Sequence, residues 1–170
     1  MAITNRFTPY KMNNDKLESG ILKTGVTSYP GQALVYDATG YLDVAVKDTQ
    51  VNIVGVSAEQ TVGTGSLAHL YYPAEQGNQF QVYMEEGADT QTYIGAVVSL
   101  ADATASLYKD NAGTAINSIS CWVDASDETS APVFLIEGFL DPDMDSTDTH
   151  CFGRFVDTAY GGKADDPQYA

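Results

Sequence analysis

From Pro30 to Glu59 the chain reads PGQALVYDATGYLDVAVKDTQVNIVGVSAE, and this stretch limits the fold more than any other. A Pro-Gly turn leads into Ala33-Leu34-Val35-Tyr36, and a second turn follows at Asp37-Ala38-Thr39-Gly40. The chain then alternates through Tyr41-Leu42-Asp43-Val44-Ala45-Val46, breaks at Lys47-Asp48-Thr49-Gln50, and resumes as Val51-Asn52-Ile53-Val54-Gly55-Val56. Short runs of Val, Ile and Tyr between Asp, Gly, Thr and Pro clusters are strands joined by tight turns. Nothing in the stretch has the i, i+3, i+4 apolar spacing of a helix face. The same pattern predicts strands at 32–37, 41–46, 51–58, 66–72, 79–85, 94–100, 105–109, 115–123 and 132–139. A spacing of roughly ten residues with turn signals between marks an all-β fold, a small antiparallel β-barrel or β-sandwich.

Three regions follow from the punctuation. Residues 1–20 read as an extended N-terminal arm, because Pro9, Asn13, Asn14 and Gly20 interrupt any regular pattern. Residues 21–140 form the barrel or sandwich domain, with a core expected to draw on Leu34, Val44, Val54, Val56, Val82, Val97, Leu100, Ile119, Trp122, Phe134 and Ile136. Residues 141–170 hold an acidic loop, a further strand at 151–156 and a C-terminal tail. A faint internal similarity relates Gly31-Gln32-Ala33-Leu34-Val35 and Asp37-Ala38-Thr39 to Gly95-Ala96-Val97-Val98-Ser99 and Asp102-Ala103-Thr104. Two such units stacking their apolar faces would share one core. The identities are few enough that coincidence is the simpler reading.

Charge narrows the partners. The 170 residues carry a net charge of −15, and no basic cluster exists to displace counterions from a nucleic acid backbone. The first 23 residues are the exception: Arg6, Lys11, Lys16 and Lys23 against Asp15 and Glu18 give +2, leaving −17 for the rest. With Ile3, Phe7 and Tyr10 as apolar anchors, this leader reads either as a frayed terminus with chance basic residues or as a docking arm that a partner must hold, since ordering it alone costs about 1–2 kcal/mol per residue. Its removal is expected to leave the domain folded. Hydrophobic residues at 44% against 18% charged describe a chain that folds. No run approaches the ~20 apolar residues of a membrane-spanning helix, so no membrane partner is expected. The N-terminus shows no secretory h-region, which points to synthesis in a cytoplasm.

The chemical candidates are weak. Asp141, Asp143 and Asp145 repeat the first ligands of a calcium loop, but Ser146 stands where the loop needs Gly and Phe152 where it needs Glu. A solvated acidic loop is the simpler reading. Gly63-Thr64-Gly65-Ser66-Leu67-Ala68 fits G-x-G-x-x-A, yet it leads into strand-like Leu70-Tyr71-Tyr72-Pro73 rather than a helix that could hold a pyrophosphate. His69 lies in a strand pattern and reads as hydrogen-bonded and structural. Glu85 and Glu86, as strand neighbours, point to opposite faces and make a poor acid/base couple. Cys121 and Cys151 are too few for a disulfide framework and lack metal-ligand spacing. No enzyme, cofactor or metal is expected.

The order PGxAL, strand, DATGYL, strand, IVGVSAE between Pro30 and Glu59 resembles the head-decoration (cement) proteins of tailed bacteriophages. In that family a Gly-initiated strand, a tight hairpin and an xxGV strand recur in a compact β-domain. The likeness extends through Tyr71-Tyr72-Pro73, Phe80-Gln81-Val82-Tyr83, Gly95-Ala96-Val97-Val98 and Ala131–Phe139, covering most of residues 20–140. The resemblance implies a structural virion protein on the outer capsid surface, bound to the major capsid protein and assembled as a homotrimer at local three-fold positions. Its arm contacts would then be Ile3, Arg6, Phe7, Tyr10 and Lys11. The alternative is a non-catalytic β-sandwich module of fibre or adhesin type that binds a glycan or receptor. A surface cluster of Tyr and Trp beside Asp or Asn favours that alternative, whereas flat apolar patches favour the capsid role.

Overall fold

The computed structural model describes residues 6–13, 16–49, 51–75, 77–85, 91–103, 108–110, 112–116, 118–140, 150–156 and 158. Within them the protein is all-β. Its strands are β1 (Thr8–Lys11), β2 (Glu18–Ile21), β3 (Thr27–Ser28), β4 (Ala33–Tyr36), β5 (Leu42–Val44), β6 (Gly55–Ser57) and β7 (Thr61–Val62). They continue with β8 (Ala68–Pro73), β9 (Gln79–Glu85), β10 (Val97–Ala103), β11 (Ile119–Asp124), β12 (Phe134–Phe139) and β13 (His150–Phe155). The strands expected from the sequence correspond to β4, β5, β6, β8, β9, β10, β11, β12 and β13, with ends moved by a few residues. The strand expected at 105–109 falls outside the described residues except for Tyr108 and Lys109, and Lys109 bridges to Ala115.

Ten of the strands form two closed five-strand rings, with β1 added at the edge of β9 and β3 paired with β7 in a separate two-stranded sheet. The first runs β2-β8-β6-β4-β5, and a parallel bridge between Leu22 and Leu42 joins its ends. The second runs β9-β13-β12-β10-β11, closed where β11 lies parallel to β9 at Val123↔Met84 and Asp124↔Glu85. Connectivity and strand direction are the same in both. The first strand pairs with the fifth, the fifth with the fourth, the fourth with the second and the second with the third, all antiparallel. The third then returns parallel to the first. The fold is the all-β barrel architecture expected from the sequence, and a parallel contact closes each otherwise antiparallel ring.

The correspondence holds residue by residue. Ala33↔Val56 matches Val97↔Leu135, Gly55↔Pro73 matches Phe134↔Phe155, and Leu22↔Leu42 matches Met84↔Val123. The turns entering β4 and β10 are also the same. The Gln32 N–H donates to Tyr29 O at 3.1 Å and the Ala96 N–H to Tyr93 O at 3.1 Å. Gly31 (φ 83°) and Gly95 (φ 89°) take the left-handed position that such a turn requires and that a side chain resists. The chain is thus a structural repeat, and the similarity around Gly31 and Gly95, too faint to argue duplication, marks its matching turns.

The two units share a core. Leu22, Leu34, Leu42, Val54 and Tyr71 fill the first barrel. The main cluster joins the interior of the second barrel, including Val82, Met84, Val98 and Val123, to Ala33, Val35, Ile53 and Val56 on the outside of the first. β4 is consequently apolar on both faces, which is why Ala33-Leu34-Val35 runs without alternation. Trp122 belongs to a third cluster with Tyr108, Ile119 and Cys121, and its ring lies 4.4 Å from that of Tyr83. Of the expected core, Val44 and Val97 are half-buried and the others are buried.

Residues 6–13 and 16–20 are not a free arm. β1 pairs with β9, β2 begins the first barrel, and Phe7 is 2% exposed, its ring 5.5 Å from Phe134 and 5.1 Å from Phe155. Of the apolar anchors, Phe7 finds its burial within the same chain, while Tyr10 stays 38% exposed. The domain boundary at 140 moves as well, because β13 sits between β12 and β9 and completes the second barrel.

Candidate functional site

β2 and β8 pair with Ser19 opposite Leu70, Gly20 opposite His69 and Ile21 opposite Ala68. Successive side chains on a strand point to opposite faces. Gly20, His69 and Tyr71 therefore face into the first barrel, while Leu17, Ser19, Ile21, Ala68 and Leu70 face out. Leu17, Ile21 and Leu70 are 37%, 37% and 38% exposed, and Leu67 beside them is 46% exposed. Scattered exposed apolar residues are ordinary; a group on one strand pair is a candidate contact surface.

The repeat supplies a comparison inside the molecule. By register, Ser19, Ile21 and Leu70 match Gln81, Tyr83 and Phe152 of the second barrel. Those three are half-buried. Tyr10 of β1 stacks on Phe152 at 4.6 Å, and Trp122 packs on Tyr83. Among the described residues, the same face is thus covered by rings on one barrel and exposed on the other.

The barrel ends differ too. The second is sealed by rings: Phe80, Phe134 and Phe155 gather with Phe7. Their matches in the first barrel are Glu18, Gly55 and Pro73. There the Tyr71 hydroxyl donates to Glu18 Oε2 at 3.2 Å, and Tyr36 Oη lies 3.3 Å from Tyr71 Oη. Burial, and then a hydrogen bond and like charge from Glu18, push the Glu75 carboxyl up.

His69 is hydrogen-bonded and wholly buried, in the structural role read from its strand. Its Nε2 lies 2.8 Å from Ser57 Oγ, and its Nδ1 lies 3.6 Å from Glu59 Oε1. This has the order of a Ser-His-acid triad but the opposite polarity. The Ser57 hydroxyl donates to Glu59 O at 2.8 Å, so the imidazole N–H donates to Ser57 rather than taking its proton. Burial lowers the His69 pKa more than Glu59 raises it. The folded chain accordingly prefers neutral imidazole, and that contribution is present above the ordinary histidine pKa of about 6.5 and lost progressively as pH falls from there through the lowered folded value. Urea titrations at pH 7.5 and 5.5 are expected to show a larger acid-induced loss of stability in the wild-type chain than in His69→Gln. Equal losses would mean that His69 does not titrate differently on folding.

Of the expected arm contacts, Ile3 lies outside the described residues. Arg6 lays its stem against Gly31 and hydrogen-bonds Tyr108, whose hydroxyl donates to Pro30 O at 2.7 Å. Burial pushes that phenol up to about 12 despite Arg6. Arg6 also lines a cleft of ≈ 110 Å³ with Thr8, Pro30 and Ser57, well below the roughly 300 Å³ of a typical ligand pocket. Phe7 is core, and the Lys11 ammonium sits 5.5 Å above the Tyr10 ring. Phe7 is therefore corrected from a partner contact to a core residue, and Arg6, Tyr10 and Lys11 are engaged within the chain.

The acidic loop at 141–148 lies outside the described residues, as does Glu86. Among the described residues no three His, Cys, Asp or Glu side chains converge as metal ligands. Gly63–Ala68 opens no helix. Cys121 and Cys151 are buried thiols, and burial pushes both up. The exposed β2–β8 face escaped the sequence reading because Leu17 had been assigned to an arm. The usable signal was Leu67-Ala68-His69-Leu70-Tyr71, apolar at both parities, which means a strand with two faces to satisfy.

No protein-family model, curated protein or solved structure matches the chain.

Proposed function

We propose that this protein decorates the outside of a phage capsid and stabilises the lattice by bridging its subunits, docking through the outward face of β2 and β8. The observation that carries this reading is the bare apolar group Leu17, Ile21 and Leu70, whose counterpart on the second barrel is covered. The partner is the major capsid protein, with self-association into trimers as the family likeness suggests. The role is mechanical: a protein held on two or more subunits adds contacts that must break before the subunits separate. The acidic surface keeps decorated copies from adhering to one another. Tyr36 and Tyr41 are exposed near Asp37 and Asp43, the feature that a glycan-binding module would use. Tyr36 stands opposite Leu42 on the inward parity of the hairpin and Tyr41 on the outward one, so the two do not form one stacking platform.

Capsids lacking the protein, mixed with it and recovered, are expected to carry it in many copies. Leu70→Asp is expected to lower apparent affinity about tenfold or more, because it places a charge in an apolar contact. Retention is expected to stay flat or rise slightly with salt, since apolar contacts are unscreened and repulsion between acidic copies is relieved. Complete release at moderate salt, or full binding by Leu70→Asp, would show that this face is not the dock.

A further inference from the structure

The repeat shows what the bare face of the first barrel is shaped to receive. On the second barrel, the edge of β9 that faces away from β13 carries two strands in succession: β11 at Met84 and Glu85, and β1 at Gln79–Gln81. The matching edge of β2 meets β5 through the Leu22–Leu42 bridge. Among the described residues no further strand lies along the stretch of β2 that corresponds to the β1 seat. The adjoining outward residue is Leu70, the counterpart of the Phe152 on which Tyr10 stacks.

We propose that this edge of β2 and the Leu70 face accept an added antiparallel strand from the capsid partner, one that carries Lys or Arg towards Glu18 and an apolar or aromatic residue onto Leu70. The inference rests on the capsid-docking reading and names the form the partner takes. An open strand edge supplies backbone affinity, and the side chains on alternate positions supply specificity. The charge requirement comes from the exchanged residues. In the second barrel Pro9 stands opposite Phe80, and Phe7 enters a cluster of rings. In the first barrel the Phe80 position is Glu18, with Glu75 hydrogen-bonded beside it, and the Phe134 and Phe155 positions are Gly55 and Pro73. An inward aromatic residue finds no phenylalanine cluster there, only Tyr71, whose ring lies over Gly55 and whose hydroxyl donates to Glu18, whereas a cation finds two carboxyl groups.

The protein's own β1 provides the probe. A blocked peptide of residues 6–12, and the same peptide with Phe7→Lys, are titrated into the isotope-labelled full chain and followed by NMR. Shifts are expected at Leu17, Ser19, Ile21 and Leu70, with the Phe7→Lys peptide binding about fivefold more tightly, the scale of one modest charge pair. Glu18→Gln is expected to erase that preference while Ile21→Asp weakens both peptides. No shift at millimolar peptide, shifts confined to β9, or a preference that survives Glu18→Gln would each overturn the proposal. Capsids that stay undecorated while the peptides bind here would remove the capsid reading and leave the strand site standing. Capsids decorated normally by a chain that has lost peptide binding would remove the strand site alone.

Discussion

Phe7→Ala is expected to destabilise the chain by about 3–5 kcal/mol, the range for truncating a buried aromatic residue. Phe7 is 2% exposed and packs against Phe134 and Phe155, which in turn touch each other at 5.2 Å. The ring closes the end of the second barrel, so its loss leaves a cavity whose walls belong to β12 and β13 and cannot collapse freely. Against a typical total of about 5–15 kcal/mol, this is a large share. Urea unfolding should show a much lower midpoint with a similar slope. Tyr10→Ala, at a 38% exposed position, should cost about 1 kcal/mol or less. Deleting residues 2–12 should act like Phe7→Ala and worse, because β1 leaves the edge of β9 with it. A truncated protein as stable as the full chain would restore the free-arm reading.

The second large effect lies at two glycines that the repeat relates in an unexpected way. Gly55 and Tyr71 in the first barrel match Phe134 and Gly153 in the second. Each barrel lays one ring over one glycine of the adjacent strand, but the strands exchange roles. A Cβ on Gly55 would meet the Tyr72 carbonyl oxygen and come within 2.7 Å of Tyr71 Cδ2. A Cβ on Gly153 would meet the Leu135 carbonyl oxygen and come within 3.0 Å of Phe134 Cε1. Backbone atoms held in a closed sheet cannot step aside, so Gly55→Ala and Gly153→Ala are each expected to cost about 3 kcal/mol or more. Gly40→Ala is the control: open space surrounds it, and only its φ of 88° resists a side chain, at about 1–2 kcal/mol. Thermal or urea unfolding that ranks Gly40→Ala as the most damaging of the three would mean that the close packing over Gly55 and Gly153 is not what fixes them.

Much of the fold was readable because period-2 patterning and turn residues act over a few positions. β4, β5, β8, β9 and β12 follow directly from runs such as Phe80-Gln81-Val82-Tyr83 bounded by turn residues. β1 and β2 did not, because Pro9 and Gly20 look like interruptions. Pro9 is tolerated in a strand at the edge of its sheet, and Gly20 leaves the space that Leu42 fills. The candidate site was hidden for the same reason, since Leu17 and Ile21 gain meaning only once β2 is known to pair with β8.

Local sequence therefore determined that the chain is all-β, where most strands and turns fall, and many of the branched residues of the core, but not Phe7, whose burial follows from the pairing of β1 with β9. It also determined that Gly31 sits in a turn, since a Pro-Gly pair signals one, whereas Gly95 falls within the strand expected at 94–100 and is a turn residue only by its backbone in the fold, with a φ of 89°. Which strands meet was decided by tertiary structure. Ring closure joins Leu22 to Leu42 and Met84 to Val123 across long separations, and nothing local encodes such pairings. The repeat itself became visible only in register, because many different side chains can satisfy one pattern of inward and outward positions. The contrast between a covered Phe152 and a bare Leu70, on which the functional reading turns, is likewise a fact of packing: whether an apolar residue on a strand is core or contact surface depends on what else the chain brings against it.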